Sequence, residues 1–194
     1  EFTIADEYHY DRRSPLRWVL SHIRRYPLLP LLFLATVIGM SVTQSWSAVL
    51  VGNAFDAVVN GATLERLTQL ALVILGVRVA YGLLDIGNSF SMQFLAQLTE
   101  RNTREELYVS LLGKSLTFHN RQRTGDIMAR ATNDVQQINS MITPGASLIV
   151  ESLVSLIVPL FAIATIQPQL LAAPLIFLVC FAWALRRYNR QLGP

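Results

Sequence analysis

Residues 67–117 read LTQLALVILGVRVAYGLLDIGNSFSMQFLAQLTERNTREELYVSLLGKSLT, and the stretch contains no proline. Its first part, to about Ile86, is apolar and long enough to cross a bilayer, which takes roughly 20 mostly apolar residues. Beyond Gln93 it turns polar but keeps helix-forming residues. Glu100 and Arg104 are spaced i,i+4, as are Arg101 and Glu105, and such pairs support a helix in water. Leu98, Leu107, Leu111 and Leu112 carry an apolar stripe along the same stretch. One helix of roughly 50 residues at 1.5 Å per residue is about 75 Å long. A hydrocarbon core of about 30 Å cannot contain it, so the excess projects into water.

Outward from this stretch, three more apolar runs appear. The first spans about residues 27–51, densest at LLPLLFLATVIGMSV; the third covers about 145–166 and the fourth about 170–187. With the second, at about 67–93, they make four spans. Lipid offers the backbone no hydrogen bonds, so each span is expected to be a helix. The fold class is therefore an all-α polytopic membrane protein. A polar helical hairpin, about residues 94–144, joins the second and third spans. The segment Asp126 to Ile166 is expected to be one helix of about 60 Å by the same rise, returning after a break at Asn120 to Gly125. Pro159 and Pro174 are expected to kink their spans.

Composition agrees. The chain has 194 residues, of which 52% are hydrophobic and 15% charged, below the roughly 25% charged residues of soluble domains. The net charge of +3 is too small to read as a nucleic-acid footprint, and no nucleic acid is expected as a partner. Cys180 is the single cysteine, so an internal disulfide is excluded. The chain opens Glu1-Phe2 without methionine and reads as part of a longer protein.

Basic residues alternate between the connections. Arg12, Arg13, Arg17, Arg24 and Arg25 precede the first span. The first connection, Gly52 to Arg66, carries Asp56, Glu65 and Arg66. The second carries Arg101, Arg104, Lys114, Arg121, Arg123 and Arg130, and Arg186, Arg187 and Arg190 close the chain. Positive charge marks the cytoplasmic side, so both termini are placed inside. Residues 1–26 form a cytoplasmic N-terminal segment, in which SPLRWVLSHIRRY is expected to be an interfacial helix with Leu16, Val19, Leu20 and Ile23 on one face. The chain then forms a membrane domain over 27–194.

Gly113-Lys114-Ser115 imitates a phosphate loop. That motif needs a first glycine five residues upstream, after a strand. The residue there is Tyr108, inside a helical stretch. The phosphate cradle cannot form, so this chain is expected to bind no ATP and no other cofactor. His9, His22 and His119 show no metal-ligand spacing, and no catalytic arrangement stands out.

Residues 116–138, LTFHNRQRTGDIMARATNDVQQI, carry Phe118, Thr124-Gly125-Asp126, Arg130 and Asn133-Asp134-Val135. This pattern resembles the first intracellular loop of ABC exporters. The order of elements resembles that family too: interfacial helix, two spans, hairpin, two spans, basic exit. His119 stands where a second aromatic is common, and Ala129 where a serine often precedes the arginine. The resemblance implies the type-1 exporter membrane fold, represented by its N-terminal four spans. It also implies a coupling element at Phe118, His119, Asn120, Arg121, Gln122, Arg123, Thr124, Gly125 and Asp126. That tip would seat on nucleotide-binding domains absent from this sequence, which would hold ATP and Mg. The other implied partners are the lipid bilayer, a second transporter protomer in a homo- or heterodimer, and a cargo the sequence does not name. The implied location is the inner membrane of a bacterial cell, and the complete protein would be an ATP-hydrolysing translocase. The alternative is a four-helix membrane scaffold or receptor that binds a cytoplasmic partner through its hairpin.

Two expectations concern local physics. Gly125 would permit a tight turn, and Thr124 or Asp126 would cap the returning helix. Residues at membrane depth are candidates for the cargo pathway: Gln44, Trp46, Arg78, Asp85, Asn88, Gln93 and Glu151; the other reading is contact with a neighbouring helix, which for Gln44, Trp46, Asn88 and Gln93 is the preferred one. Ionisable groups there face water or each other, and Arg78 and Asp85 lie seven apart, on one helix face but too far for an i,i+4 pair.

Overall fold

A computed structural model describes residues 10, 11 and 13–192. His9, Arg12 and the rest of the leader before Tyr10 lie outside the described residues. The helices in chain order are α1 (Pro15–Arg24), α2 (Leu28–Val59), α3 (Leu64–Leu112), α4 (Leu116–Arg121), α5 (Thr124–Ala129), α6 (Val135–Ser140), α7 (Ser147–Ile166) and α8 (Ala172–Leu192). Short wider-pitched π-type stretches, Arg130–Asp134 and Met141–Ala146, link α5, α6 and α7. Among the described residues, four helical segments are long and apolar enough to cross a membrane: Leu28–Val59, Leu64–Leu112, Thr124–Ile166 and Pro168–Arg190.

The chain divides into two compact units. The first combines the described part of Glu1–Val37 with Gly82–Glu151. Here side-chain contacts step along α3 in antiparallel order. Arg104 Nε donates to the Ala131 carbonyl (3.3 Å), Asn139 Nδ2 to Glu100 Oε2 (2.7 Å), Thr143 Oγ1 to the Met92 carbonyl (3.3 Å), and Asn88 Nδ2 to Glu151 Oε1 (3.1 Å). On its other flank, Trp18, Tyr26 and Thr36 meet Glu106, Asn102 and Asn88 in turn. Leu95, Ala96, Thr99, Val135 and Ile142 are buried in this unit. At Gly87 a Cβ would stand 3.3 Å from Thr36 Cγ2, so its absence lets α2 and α3 approach closely. The second unit is Ile38–Tyr81 with Ser152–Pro194. It contains the turn between α2 and α3, where Gly61 takes φ 67°, a conformation that glycine adopts without steric cost.

Three sequence expectations change. Helix α2 continues past Val51 to Val59, because Gly52–Val59 contains no proline and a helical backbone satisfies itself. The return from the tip is not one helix to Ile166. Thr143 adopts φ −128°, ψ 113° ahead of Pro144, as expected when a proline ring excludes the α conformation from the residue before it. Helix α7 instead runs through Pro159. Pro174 lies in the first turn of α8, where its missing N–H breaks no helical bond. Both i,i+4 pairs do form, Arg104–Glu100 at 2.7 Å and Arg101–Glu105 at 2.9 Å.

The buried residues of the first unit make a stability forecast. Leu95 is 1% exposed and Leu31 is 63% exposed. Leu95→Ala is expected to cost about 2–5 kcal/mol and Leu31→Ala well under about 1 kcal/mol. Unfolding in mixed micelles by added SDS measures both, and equal losses would show that the core is misassigned.

Candidate functional site

The tip of the hairpin is built by capping. Helix α3 ends at Leu112, and Ser115 starts α4 in extended conformation (φ −68°, ψ 157°). The Ser115 hydroxyl accepts from the Phe118 N–H at 3.4 Å, which satisfies an amide that a helix start leaves without a partner. His119 Nε2 lies 3.1 Å from the Leu111 carbonyl. A carbonyl only accepts, so the imidazole donates there and closes the C-terminal end of α3. The Phe118 ring is half-buried, edge-on to His119 at 5.6 Å and beneath Lys114 Nζ at 5.9 Å. Asn120, Arg121, Gln122, Arg123, Thr124, Gly125 and Asp126 are exposed. Among the described residues their side chains make no hydrogen bond or ion pair.

Two details of the tip differ from expectation. Gly125 is helical within α5 and does not take positive φ. The direction change comes from Gln122 and Arg123, both extended. The cap position of α5 is Arg123, without a side-chain bond, so neither Thr124 nor Asp126 caps it. Asp126 instead occupies the first turn, where a carboxylate complements the helix dipole.

Gly113-Lys114-Ser115 does not fit a nucleotide phosphate. Tyr108 lies inside α3. The Gly113 and Lys114 N–H groups are bonded to the carbonyls of Val109 and Leu111, at 3.1 Å each. Amides already engaged cannot cradle phosphate oxygens.

The candidate pathway residues fall into separate places. Asn88 is buried and joins three helices, since Thr36 Oγ1 on α2 lies 3.4 Å from its Oδ1 and its amide donates to Glu151 on α7. The Thr36 hydroxyl is shared with its own helix, 2.9 Å from the Leu32 carbonyl and 2.8 Å from that of Phe33. In the second unit Arg78 Nη1 donates to Gln44 Oε1 at 2.9 Å. Arg78 therefore pairs with the neighbouring helix, not with Asp85. Asp85 and Gln93 are exposed without a side-chain partner among the described residues, and Trp46 is exposed.

A further cluster escapes a reading of the sequence. The Trp18 indole N–H on α1 donates to Glu106 Oε2 of α3 at 3.1 Å. His22, one turn along α1, is fully buried, stacked on Tyr10 at 3.6 Å and tilted against Trp18 at 4.4 Å. Its Nδ1 donates to the Trp18 carbonyl at 3.0 Å, and its Nε2 lies 3.8 Å from Glu106 Oε2. Trp18 and His22 stand i,i+4, which is the available signal, but nothing in the sequence points to Glu106. Burial pulls the His22 pKa below its ordinary 6.5; the Trp18 carbonyl and Glu106 oppose that shift, and Arg25 adds to it.

The arrangement defines a polytopic all-α membrane domain whose second and third spans run on into a polar hairpin. The chain belongs to the family of ABC transporter transmembrane regions, which it matches over residues 27–193. It is 22% identical over 183 residues to an uncharacterized ABC transporter ATP-binding protein, YfiC, of Bacillus subtilis (strain 168), covering 94% of this chain and 30% of that protein. It is 25% identical over 132 residues to an ATP-dependent lipid A-core flippase of Pseudoalteromonas translucida (strain TAC 125), covering 68% of this chain and 23% of that protein. A third relative, the uncharacterized ABC transporter ATP-binding protein YknV of Bacillus subtilis (strain 168), is 25% identical over 172 residues, 85% of this chain and 28% of its own length. The chain thus spans less than a third of the length of these curated relatives.

Two outcomes follow from the clusters. Asn88→Leu strands the Glu151 carboxylate and is expected to cost about 1–3 kcal/mol, whereas Glu151→Gln still accepts the amide and costs less. SDS-induced unfolding ranks the two, and the reverse order would remove Asn88 as the organiser. For His22 the sign is set by its lowered pKa. The docked α1 favours neutral imidazole, so its docking is complete above pH 6.5 and weakens as pH falls below that value toward the lowered pKa. Spin labels at Leu20 and Tyr108 should give a distance distribution that broadens on acidification, and His22→Gln should flatten the response. A distribution unchanged with pH would show that His22 does not govern docking.

Proposed function

We propose that this chain forms the leading part of the membrane domain of an ATP-driven exporter, with its N-terminus in the cytoplasm and its hairpin coupling nucleotide-binding domains to the spans. The observation that carries the reading is α3. Its 49 residues make about 74 Å of helix at 1.5 Å rise, against about 30 Å of hydrocarbon. The returning segment is fixed to it at Ala131 and Asn139, and beyond it the exposed residues Asn120 to Asp126 have no side-chain partner among the described residues. Such a rigid pair moves its tip and its membrane ends together. A displacement imposed at Phe118 to Asp126 by an ATPase domain therefore reaches the spans, and packed helices respond by switching between discrete arrangements.

Phe118 acts in this reading as the apolar anchor and Arg121 and Arg123 as rim charges. The polar side chains Gln44, Arg78, Asp85, Asn88, Gln93 and Glu151, with Trp46, contribute to the cargo pathway. Family membership supports the proposal, as do relatives named as an ATP-dependent flippase and as a putative export protein. A second protomer completes the pathway, as an exporter of this kind requires, and the expected site is the bacterial inner membrane.

The experiment has two arms. Single cysteines at Gly61 and Gln122, in a Cys180→Ala background, should label from opposite faces of sealed vesicles; labelling from one face would end the topology. In the complete transporter, Phe118→Ala and Gly125→Val should leave basal ATP hydrolysis but lower transport and cargo-stimulated hydrolysis. Beyond its own helix and chain neighbours, a Cβ at Gly125 would meet nothing within 4 Å, so a side chain there projects toward whatever docks on the tip. Loss of an interface anchor commonly costs about 2 kcal/mol or more. Wild-type transport and stimulation in both variants would remove the coupling role, and loss of binding to a non-ATPase partner would favour the scaffold.

A further inference from the structure

Helix α1 has one face occupied and one face open. Ser14 caps it, accepting from the Arg17 N–H at 3.3 Å, and Pro15 opens its first turn. Trp18 and His22 turn toward α3; the Trp18 indole is held there by Glu106, and His22 is buried beside it. On the helical wheel the opposite side carries Leu16, Leu20 and Ile23, with Arg17 and Arg24 along one edge. Leu16 is 84% exposed and Leu20 46%. Arg17 and Arg24 are exposed, and among the described residues their guanidinium groups have no carboxylate partner. Arg13, just before the helix, is also exposed, though Asp11 lies 4.0 Å away. Arg25 is different in kind, since it donates to the Tyr10 hydroxyl at 2.7 Å.

Chain connectivity places this open face. Only Arg25, Tyr26 and Pro27 separate α1 from α2, whose first residues Leu28, Leu31 and Leu32 are exposed and apolar. If α2 enters the bilayer there, α1 lies at the water–lipid boundary. Its apolar stripe then meets the acyl margin, and its arginine edge meets the headgroups.

We infer that α1 is a recognition surface for anionic phospholipids of the cytoplasmic leaflet, with Arg17 and Arg24 binding headgroup phosphates while Leu16 and Leu20 insert beside them. The inference rests on the membrane topology proposed above. Zwitterionic headgroups carry a compensating positive charge, so an edge of unpaired arginines favours lipids of net negative charge. Guanidinium groups suit this task, because their planar donors match phosphate oxygens in pairs. The anchoring of Trp18 and His22 fixes the rotation of α1, so both arginines face the headgroups without a search. Arg13 adds a smaller share because Asp11 is beside it.

The test uses the complete protein in nanodiscs of phosphatidylcholine, with phosphatidylglycerol titrated in. Hydrogen exchange of residues 15–24 reports the response, and exchange of α2 reports membrane embedding. Phosphatidylglycerol should slow exchange in α1. In the Arg17→Gln/Arg24→Gln variant the midpoint should move to about tenfold more of that lipid. Arg17→Lys/Arg24→Lys should shift the midpoint less than the glutamine pair does, because it keeps the charge and loses only the paired donors, which separates lost charge from lost folding. Equal α1 protection in both lipids, or an unshifted midpoint in the glutamine variant, would overturn the inference while protected α2 left the topology standing. Unprotected α2 would instead sink the topology itself. If inorganic phosphate alone reproduced the protection, the site would be one for free anions and the lipid assignment would be wrong.

Discussion

Between helices in lipid there is little hydrophobic force, because acyl chains are as apolar as leucine. In the first unit a row of polar contacts along α3, beside buried Leu95, Ala96, Val135 and Ile142, sets the order of the helices. From Arg104 to Asn88 each partner on the returning chain advances as α3 recedes, and from Glu106 to Asn88 the same holds for α1 and α2. Helix α3 must be unbroken from Asn88 to Glu106 for both rows to stay in register. That requirement falls on a backbone whose hydrogen bonds are internal throughout, in hydrocarbon and in water alike. The break in the returning chain at Thr143 and Pro144 lies opposite Met92, where the Thr143 hydroxyl bonds the Met92 carbonyl. The contact rows continue on either side of that break.

The contacts differ in strength. Arg101–Glu105 joins two largely exposed side chains and adds little, as surface pairs do. Glu100 does more, because one oxygen holds Arg104 on its own helix and the other accepts from Asn139 across the gap. Asn88 plays the matching part between Thr36 and Glu151. The tip follows another logic: its bonds close helix ends and leave its outward polar groups open. That is the character expected of a surface made to meet another protein, and it underlies the coupling role proposed for it.

Much of this is legible in residues 67–117. The absence of proline, the passage from apolar to charged and the i,i+4 pairs require one long helix, and the structure has one from Leu64 to Leu112. The pattern from Phe118 to Val135 is legible as that of a family, and the chain does belong to that family. The local geometry of the tip is harder to read. Glycine is the residue expected to make the turn, but two extended residues make it, since Gly125 fits a helix as well as a bend. Ser115 draws notice as part of a false phosphate loop, although a serine ahead of a helical run is an ordinary capping signal. Pro144 contradicts the expectation of one returning helix, and its effect on Thr143 is a local steric rule that needs no tertiary information.

The sequence by itself determined the number and approximate extent of the spans, the long helix and the polar hairpin. These depend on hydropathy, helix propensity and steric rules, which act over a few neighbouring residues. Only the tertiary structure decided the partners: Gln44 for Arg78, Glu151 and Thr36 for Asn88, Asn139 for Glu100, and Glu106 for Trp18. A side chain's hydrogen-bonding capacity is written in its chemistry, but which distant residue satisfies it depends on helix rotation and register. Those are fixed by all the contacts together, so residues 88 positions apart, as Trp18 and Glu106 are, meet only once the helices have packed.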